Sequence, residues 1–448
     1  MVSLSDRIHM RCLGSDEAEE ALNLFQKSIQ LETVSGTGPL GSYMKFVEWL
    51  STQLESFGID QCWILPESLP DKPILVATIE GADPSLPQVL LNAHYDVVPV
   101  VEAEWTVPAF DGLRKDGKIY GRGTQDMKCA LMGYVCAMKE LMKSSFKPNR
   151  TIHLSFVPDE EIGGAEGMSV MLASEWYKSV DIGIALDEGL ASEDDYFSVF
   201  YGERLPWWIK MESKGNTGHA SRFIEDTAVS SIISVVNNAL DFREMQRQKL
   251  HNGSASAHNC SHSVARKTTL GDVTSLNVTV LKAGVQSGGV DVLNVIPSSA
   301  EAGFDIRISP HQPTGEVEKM LDEWCEEVNA TKRGRGDMGT VTWSHYNPAL
   351  GSHSTTDCSD NNPWWTLFRT TLYDRCGGAC LRPGVFPAAT DSRFLRALGV
   401  RAFGFSPMRN CPILLHENDE YIPEETFLEG ISVYIEVIQA LSMDTEIA

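Results

Sequence analysis

Basic residues are scarce in this 448-residue chain: 37 Lys and Arg stand against 61 Asp and Glu, a formal net charge of −24. A surface of that sign repels phosphate backbones and anionic headgroups, so neither a nucleic acid nor a membrane surface is an expected partner. Long apolar runs are missing too; none approaches the ~20 residues that a bilayer span requires. The opening Met1-Val2-Ser3-Leu4-Ser5-Asp6-Arg7 lacks the basic-then-apolar layout of a secretory signal, and the expected compartment is the cytoplasm. The Asn-x-Ser/Thr sequons at Asn149, Asn252, Asn259, Asn277 and Asn329 therefore carry no glycosylation argument. Cysteine is present without organisation: ten residues at irregular spacings read as reduced thiols. Cys376 and Cys380 have no second Cys/His pair with which to build a zinc knot. No repeat of fixed period is visible.

What remains is ordinary globular composition, 42% hydrophobic, with length for two to three domains at ~150 residues each. Residues 17–58 place Ala21, Leu22, Phe25, Tyr43, Phe46, Val47, Leu50, Leu54 and Phe57 at helical spacing, broken by a loop at 32–38. Short apolar runs follow at 74–79, 89–91, 152–157 and 182–186, with a helical stretch at 127–142. Buried strands alternating with helices predict an α/β fold, a mixed, largely parallel sheet sandwiched by helices. After residue 204 the pattern changes to strand 207–214, helix 226–242, strands 275–281 and 300–308, helix 315–328 and strand 339–344. That order is the split βαβ arrangement of a four-stranded sheet with two helices on one face. The expected organisation is thus a domain in two parts, 1–204 and 349–448, around an inserted α+β domain at 205–348. Residues 251–270, rich in His, Ser and Asn, read as an insertion loop.

The chemistry-bearing residues cluster where those strands end. His94 and Asp96 close the run at 89–92; residues i and i+2 of a strand share a face, and a carboxylate beside a ligating histidine fixes its tautomer. Asp126 follows a glycine-rich turn at 120–125 and precedes a helix, a place where open α/β sheets hold ligands; a helix N-cap is the structural alternative. Glu160 and Glu161 end the run at 151–157, so one can ligate a metal while its neighbour reaches a water. Glu188 ends the next run, and His416 follows Ile413-Leu414-Leu415, again an expected strand end. Each alone has a commoner structural explanation, as a packed histidine, a cap or a solvated acidic turn. Together, five strand ends offering His, Asp, Glu, Glu and His suit a pair of divalent ions bridged by one carboxylate. The mixed nitrogen and oxygen set favours zinc, with cobalt or manganese as workable substitutes.

Segments 90–100, 120–128, 156–164, 185–189, 218–223 and 414–417 resemble the dinuclear-zinc metallopeptidase family of aminoacylases, carboxypeptidases and deacylases, in particular its aminoacylase branch. The resemblance spans about residues 20–440. It implies a zinc-exopeptidase-like core and hydrolysis of N-acyl-L-amino acids, chiefly N-acetylated neutral or aliphatic ones, to a carboxylate and a free amino acid. Two zinc ions per subunit would be held by His94 and Glu188 on one side and Glu161 and His416 on the other, with Asp126 between them. Glu160 would be the general base, Asp96 would orient His94, and the Asp126–Met127 peptide would be cis. The inserted domain would serve as lid and dimerisation element of a homodimer with a composite site, in which His219 crosses over to stabilise the partner's tetrahedral intermediate. Asn294 and Arg307 would face the substrate. Thr390, Asp391 and Arg393 would line the pocket for its carboxylate, a group that arginine's planar fork suits. Two alternatives stand beside this reading: a relative acting on dipeptides or acyl-ornithine-type substrates, and a catalytically silent binding homologue. The five ligand positions and the base are all filled, which argues against silence.

Overall fold

The computed structural model of the protein describes residues 13–36, 40–66, 69–255, 266–331, 340–346, 353–376 and 380–447. The chain divides into two compact units, Met1–Gly202 with Thr356–Gly384 and Thr390–Ala448, and Glu203–Thr355 with Val385–Ala389. The boundary expected at 348/349 lies outside the described residues. The short return segment 385–389, expected with the outer parts, instead belongs to the second unit. The Arg204 amide donates to the Phe386 carbonyl (3.3 Å), and Gly271 lies so close to the Val385 backbone that a Cβ there would clash at 2.1 Å.

Numbered along the chain, the first unit contains α1 (Ser15–Gln30), α2 (Ser42–Ser56), β1 (Asp60–Ile64), β2 (Ile74–Ile79), β3 (Gln88–His94), β4 (Leu113–Lys115), β5 (Lys118–Tyr120), α3 (Lys128–Lys143) and β6 (Ile152–Val157). It continues with α4 (Met168–Ala173), α5 (Glu175–Lys178), β7 (Ile182–Asp187) and β8 (Tyr196–Glu203). After the second unit come α8 (Pro363–Arg375), β19 (Cys380–Phe386), α9 (Ser392–Ala397), β20 (Arg401–Gly404), β21 (Tyr421–Pro423) and α10 (Glu424–Met443). An eight-stranded sheet runs β1-β2-β6-β3-β7-β20-β8-β19. Its centre is parallel, β6 with β3, β3 with β7 and β7 with β20, while β1-β2, β2-β6 and β20-β8 are antiparallel. β3, β6 and β7 are predominantly apolar because both faces are covered, and their side chains are buried along nearly the whole length. Glycine permits the close helix packing: a Cβ on Gly133 of α3 would meet the Tyr434 ring of α10 at 2.8 Å.

The parallel registers set the site. His94 pairs with Val157 and Leu91 with Leu186, so the chain leaves β3, β6 and β7 at the same sheet edge. A separate three-stranded sheet, β21-β5-β4, brings Tyr421 opposite Tyr120. Away from that edge, His153 of β6 is buried, with Nδ1 2.9 Å from the Thr78 hydroxyl and Nε2 2.7 Å from Gln88 Oε1. Burial lowers its pKa to about 4. Among the described residues no helix is long and apolar enough to cross a membrane.

The second unit contains β9 (Leu205–Lys214), β10 (Gly218–His219), α6 (Ala228–Asn252), β11 (Ser254–Ala255), β12 (Arg266–Lys267), β13 (Ser275–Ala283), β14 (Gln286–Ser287), β15 (Val290–Asp291), β16 (Val295–Ile296), β17 (Ser299–Ile308), α7 (Thr314–Ala330) and β18 (Thr340–His345). Its main sheet runs β13-β17-β9-β18, antiparallel throughout. Ala300, Ala302, Phe304, Ile306 and Ile308 alternate inward to meet Ile232, Val235 and Phe242 of α6 and Val317, Leu321 and Val328 of α7. This is the predicted two-helix layer on one sheet face. Helix α6, expected to end at Phe242, continues to Asn252. The apolar period stops at Phe242, but good helix formers follow, an Arg247–Glu244 pair supports them, and buried Gln246 accepts from the Thr274 amide at 3.2 Å. The expected loop at 251–270 therefore starts inside a helix; its residues 256–265 lie outside the described residues.

Candidate metal centre

His94 is the last residue of β3 and Glu188 the first after β7, so the shared sheet edge alone brings them together, Nε2 to Oε2 at 3.7 Å. Glu160 and Glu161 open a single helical turn after β6 (Glu160–Ile162). Asp126 comes from elsewhere: its turn leaves β5 of the small sheet, and the Asp126–Met127 peptide is cis. Its carboxylate is no helix cap, since Met127 occupies the N-cap of α3 and no side chain bonds there. Instead Oδ1 lies 3.1 Å from His94 Nε2 and Oδ2 lies 3.0 Å from His416 Nε2. His416 Nε2 is also 3.2 Å from Glu161 Oε2. One carboxylate thus stands between two histidine–glutamate pairs.

Two expectations about local structure fail. His416 does not end a strand; it sits in a turn with φ +64°. Ile413-Leu414-Leu415 find no strand partner because the Gln125 side chain takes the nearby backbone groups, accepting from the Leu414 amide (2.9 Å) and donating to the Pro412 carbonyl (2.9 Å). Asp96 lies beyond β3, so the shared strand face does not apply. The closer partner of His94 Nδ1 is the Asp96 backbone carbonyl at 3.0 Å, against 3.4 Å for its carboxylate. That carboxylate accepts from the amides of Glu160 (3.1 Å) and Glu161 (3.2 Å) and from the Ser35 hydroxyl (2.7 Å). Asp96 therefore pins the turn that carries both glutamates.

Of the pocket residues expected in the last segment, Arg393 reaches the cluster. Its Nη1 is 3.8 Å from Glu160 Oε1 while its guanidinium donates to the Thr390 carbonyl (3.1 Å) and the Gly163 carbonyl (2.9 Å). Thr390 and Asp391 are buried, and neither Asp391 oxygen has a hydrogen-bond partner. His219, Asn294 and Arg307 belong to the second unit. There β10 pairs with β16, the Ala220 amide donates to the Asn294 carbonyl (2.9 Å), and exposed His219 holds the Ser221 hydroxyl 2.8 Å from Nδ1. Arg307 is engaged on its own strand, giving Nε and Nη2 to Asp305 at 2.7 and 2.9 Å.

The electrostatics are those of too many acids for too few cations. Burial, followed by Glu188, pushes the Glu160 carboxyl well up, and burial followed by Asp126 pushes Glu188 well up. The same two causes bring Glu161 up to about 7, and burial followed by Asp187 brings Asp391 up to about 8. Burial opposes charge on Asp126, but the His416 and His94 imidazoles prevail and hold it below the usual range. His416 is raised to about 10 by Asp126 and Glu161. Buried Glu161 Oε1 has no hydrogen-bond partner. A carboxylate-rich pocket with an orphaned oxygen and two imidazoles fits divalent cations, which supply the missing positive charge. Potential ligand atoms of His94, Asp126 and Glu161, and of His94, Glu160 and Glu188, lie within 4.8 Å of one another.

Several supporting residues carried no role in the sequence reading. Asp159, at φ +60°, accepts from the Tyr43 hydroxyl (2.8 Å) and pairs with Lys72, bracing the turn before Glu160. Arg122, Gln125 and Glu420 join the Asp126 turn to the His416 turn. Arg122 and Gln125 stand inside a recognisable motif, but what they bond lies about 300 positions away, which spacing does not reveal.

Residues 90–440 match the family model "Peptidase family M20/M25/M40". The chain is 43% identical over 433 residues to Aminoacylase-1 of Dictyostelium discoideum, covering 96% of this chain and 99% of the relative. It is 37% identical over 434 residues to Aminoacylase-1 of Homo sapiens, covering 97% and 98%. Among solved structures, the M20 family metallo-carboxypeptidase Sso-CP2 of Sulfolobus solfataricus superposes with a TM-score of 0.65 at 18% identity, over 94% of this chain and 99% of that one. That last likeness concerns the fold alone.

Proposed function

The chain belongs to peptidase family M20/M25/M40, and on that footing we propose that it hydrolyses N-acyl-L-amino acids, N-acetylated neutral ones above all, with two zinc ions per subunit. The observation that carries the metal reading is the Asp126 carboxylate, set between His94 and His416 with Glu188 and Glu161 beside them. His94 and Glu188 would hold one ion, Glu161 and His416 the other, and Asp126 both. Such a pair, when bound, acidifies a water and polarises the acyl carbonyl.

Glu160 is the base. It follows Asp159 in the same turn as Glu161, and its raised proton affinity suits a group that takes a proton from the attacking water and passes it to the leaving amine. Asp96 fixes the backbone of that turn, and Arg393 gives the base a cationic neighbour and a candidate hold on the substrate's carboxylate. Thr390 supports Arg393 through its backbone carbonyl, and buried Asp391 in the same segment completes the proposed pocket. The proposal includes a cytoplasmic homodimer in which His219 serves the partner's site and Asn294 and Arg307 contact substrate; what supports these roles is the aminoacylase likeness.

Zinc content by mass spectrometry, together with steady-state rates on N-acetyl-methionine and on a neutral dipeptide, tests the reading. Two zinc ions and a higher kcat/KM for N-acetyl-methionine are expected. Preference for the dipeptide would make the chain a peptidase, and a metal-free, inactive chain would make it a binding homologue.

A further inference from the structure

The turn that carries Asp126 and the turn that carries His416 hold each other through one buried ion pair. Glu420 is fully buried and sends its carboxylate into the first turn. Its Oε1 accepts from the Gln125 amide (2.6 Å) and the Thr124 hydroxyl (3.3 Å), and its Oε2 from the Gly123 amide (3.3 Å) and Arg122 Nη1 (2.6 Å). Arg122 answers in the other direction, giving Nη1 to the Glu417 carbonyl (3.3 Å) and Nη2 to the His416 carbonyl (3.2 Å). The Gln125 amide group adds bonds to the Pro412 and Tyr421 carbonyls at 2.9 and 2.8 Å. All of these residues lie in the first unit.

The two ends of this clamp depend on it unequally. Asp126 has a second anchor: it leads directly into α3, whose Lys128 donates to the Ser28 and Leu31 carbonyls at 2.9 Å each. His94 is set by its strand and is 1% exposed. His416 has neither support. It lies in a turn outside any strand, in a left-handed conformation that L-residues adopt at a cost, and its side chain is 44% exposed. Its own carbonyl is bonded to Arg122.

We propose that Arg122 and Glu420 are a positioning pair that sets the His416–Glu161 half of the metal centre and leaves the His94–Glu188 half independent. The inference rests on the dinuclear reading above. Arginine is needed for its fork: two nitrogens serve a carboxylate and two carbonyls at once, which a single ammonium does not reproduce. Groups that orient a metal ligand are typically worth ~10–100-fold in metal affinity.

Calorimetric titration of the metal-free full chain with zinc, on the unmodified protein, on Arg122→Lys and on the charge-neutral double variant Arg122→Met with Glu420→Gln, decides it. The expected result is two sites in the unmodified chain. In both variants one site is weakened about 10–100-fold, while the other holds within about twofold and far-UV circular dichroism is unchanged. Arg122→Lys keeps the buried charge balance, so it remains informative if the double variant fails to fold. Equal weakening of both sites, or of neither, overturns the inference. Fewer than two sites in the unmodified chain overturns the dinuclear reading itself, and shows before any substitution is made.

Discussion

Replacing Asp96 by Asn separates two ways in which this carboxylate could serve the site. The side chain keeps its size and loses its charge and one acceptor. Of its three donors, the Ser35 hydroxyl has an alternative in the Val97 carbonyl at 3.2 Å, whereas the amides of Glu160 and Glu161 have Asp96. The amide nitrogen of Asn must face one of those two N–H groups, so at least one buried donor loses its partner. A hydrogen bond to a charged acceptor is worth about 1.5–3 kcal/mol, and part of the loss reappears as desolvation of the orphaned group. Taking about 2–3 kcal/mol for the net effect, the turn carrying Glu160 and Glu161 is displaced or opened by roughly 30- to 150-fold in equilibrium terms. Glu160 and Glu161, the proposed base and one proposed ligand, ride on the same turn, so kcat on N-acetyl-methionine and zinc affinity at the Glu161 side should fall together. Zinc titration and steady-state kinetics on Asp96→Asn measure both. Loss confined to the His94–Glu188 side, with the other side intact, would refute the reasoning and show that the carboxylate acts through the imidazole.

Glu160→Gln should lower kcat by about 10²–10⁴ while zinc content stays at the unmodified level; loss of one ion in this variant would exchange the roles of Glu160 and Glu161. Mixing inactive His219→Ala chains with inactive Glu160→Gln chains should restore part of the activity, because a hybrid dimer contains one intact composite site, and no recovery despite demonstrated subunit exchange would return His219 to its own chain. Arg393→Ala should cost about ten- to a hundredfold in kcat/KM on N-acetyl-methionine and much less on its amide, which lacks the carboxylate; equal losses would mean that the arginine only braces Gly163 and Thr390. His153 makes stability fall in acid: its folded pKa of about 4 lies below the ordinary ~6.5, so as pH drops from 7 to 5 the unfolded chain gains a proton that the native chain refuses. Urea unfolding at the two pH values should show about 2 kcal/mol less pH dependence in His153→Gln than in the unmodified protein.

The sequence made the sheet edge readable because β3, β6 and β7 are buried on both faces and so appear as predominantly apolar runs leading to His94, Glu160-Glu161 and Glu188. It also exposed the second unit, where alternation along β17 and the apolar stripes of α6 and α7 leave one arrangement that hides them. What it concealed depends on long-range pairing. β8 did not stand out from the chain around it, and β5 and β21 are three residues each, too short to carry a period. The His416 segment looked like a strand because three apolar residues precede it, yet its backbone is satisfied by a side chain from residue 125. Spacing likewise does not reveal that the Arg307 fork is bound to Asp305, two residues earlier on the same strand.

The strand order of the first unit also has a consequence for how the chain is made. β7 ends at Asp187, but β20, its neighbour on one side, begins only at Arg401. A ribosome working at about 5–20 residues per second spends roughly 10–40 s on the interval. During that time the edge of β7 carries unpaired backbone groups next to an apolar strand, the kind of edge that pairs with whatever strand it meets. All of the second unit is synthesised in this window, with a sheet and core of its own. His416 follows β20, so the His416–Glu161 side of the proposed metal centre cannot be complete until the sheet is able to close. The demands on chaperones should therefore fall on the nascent first unit with its sheet open, and ease once residues 401–404 are released.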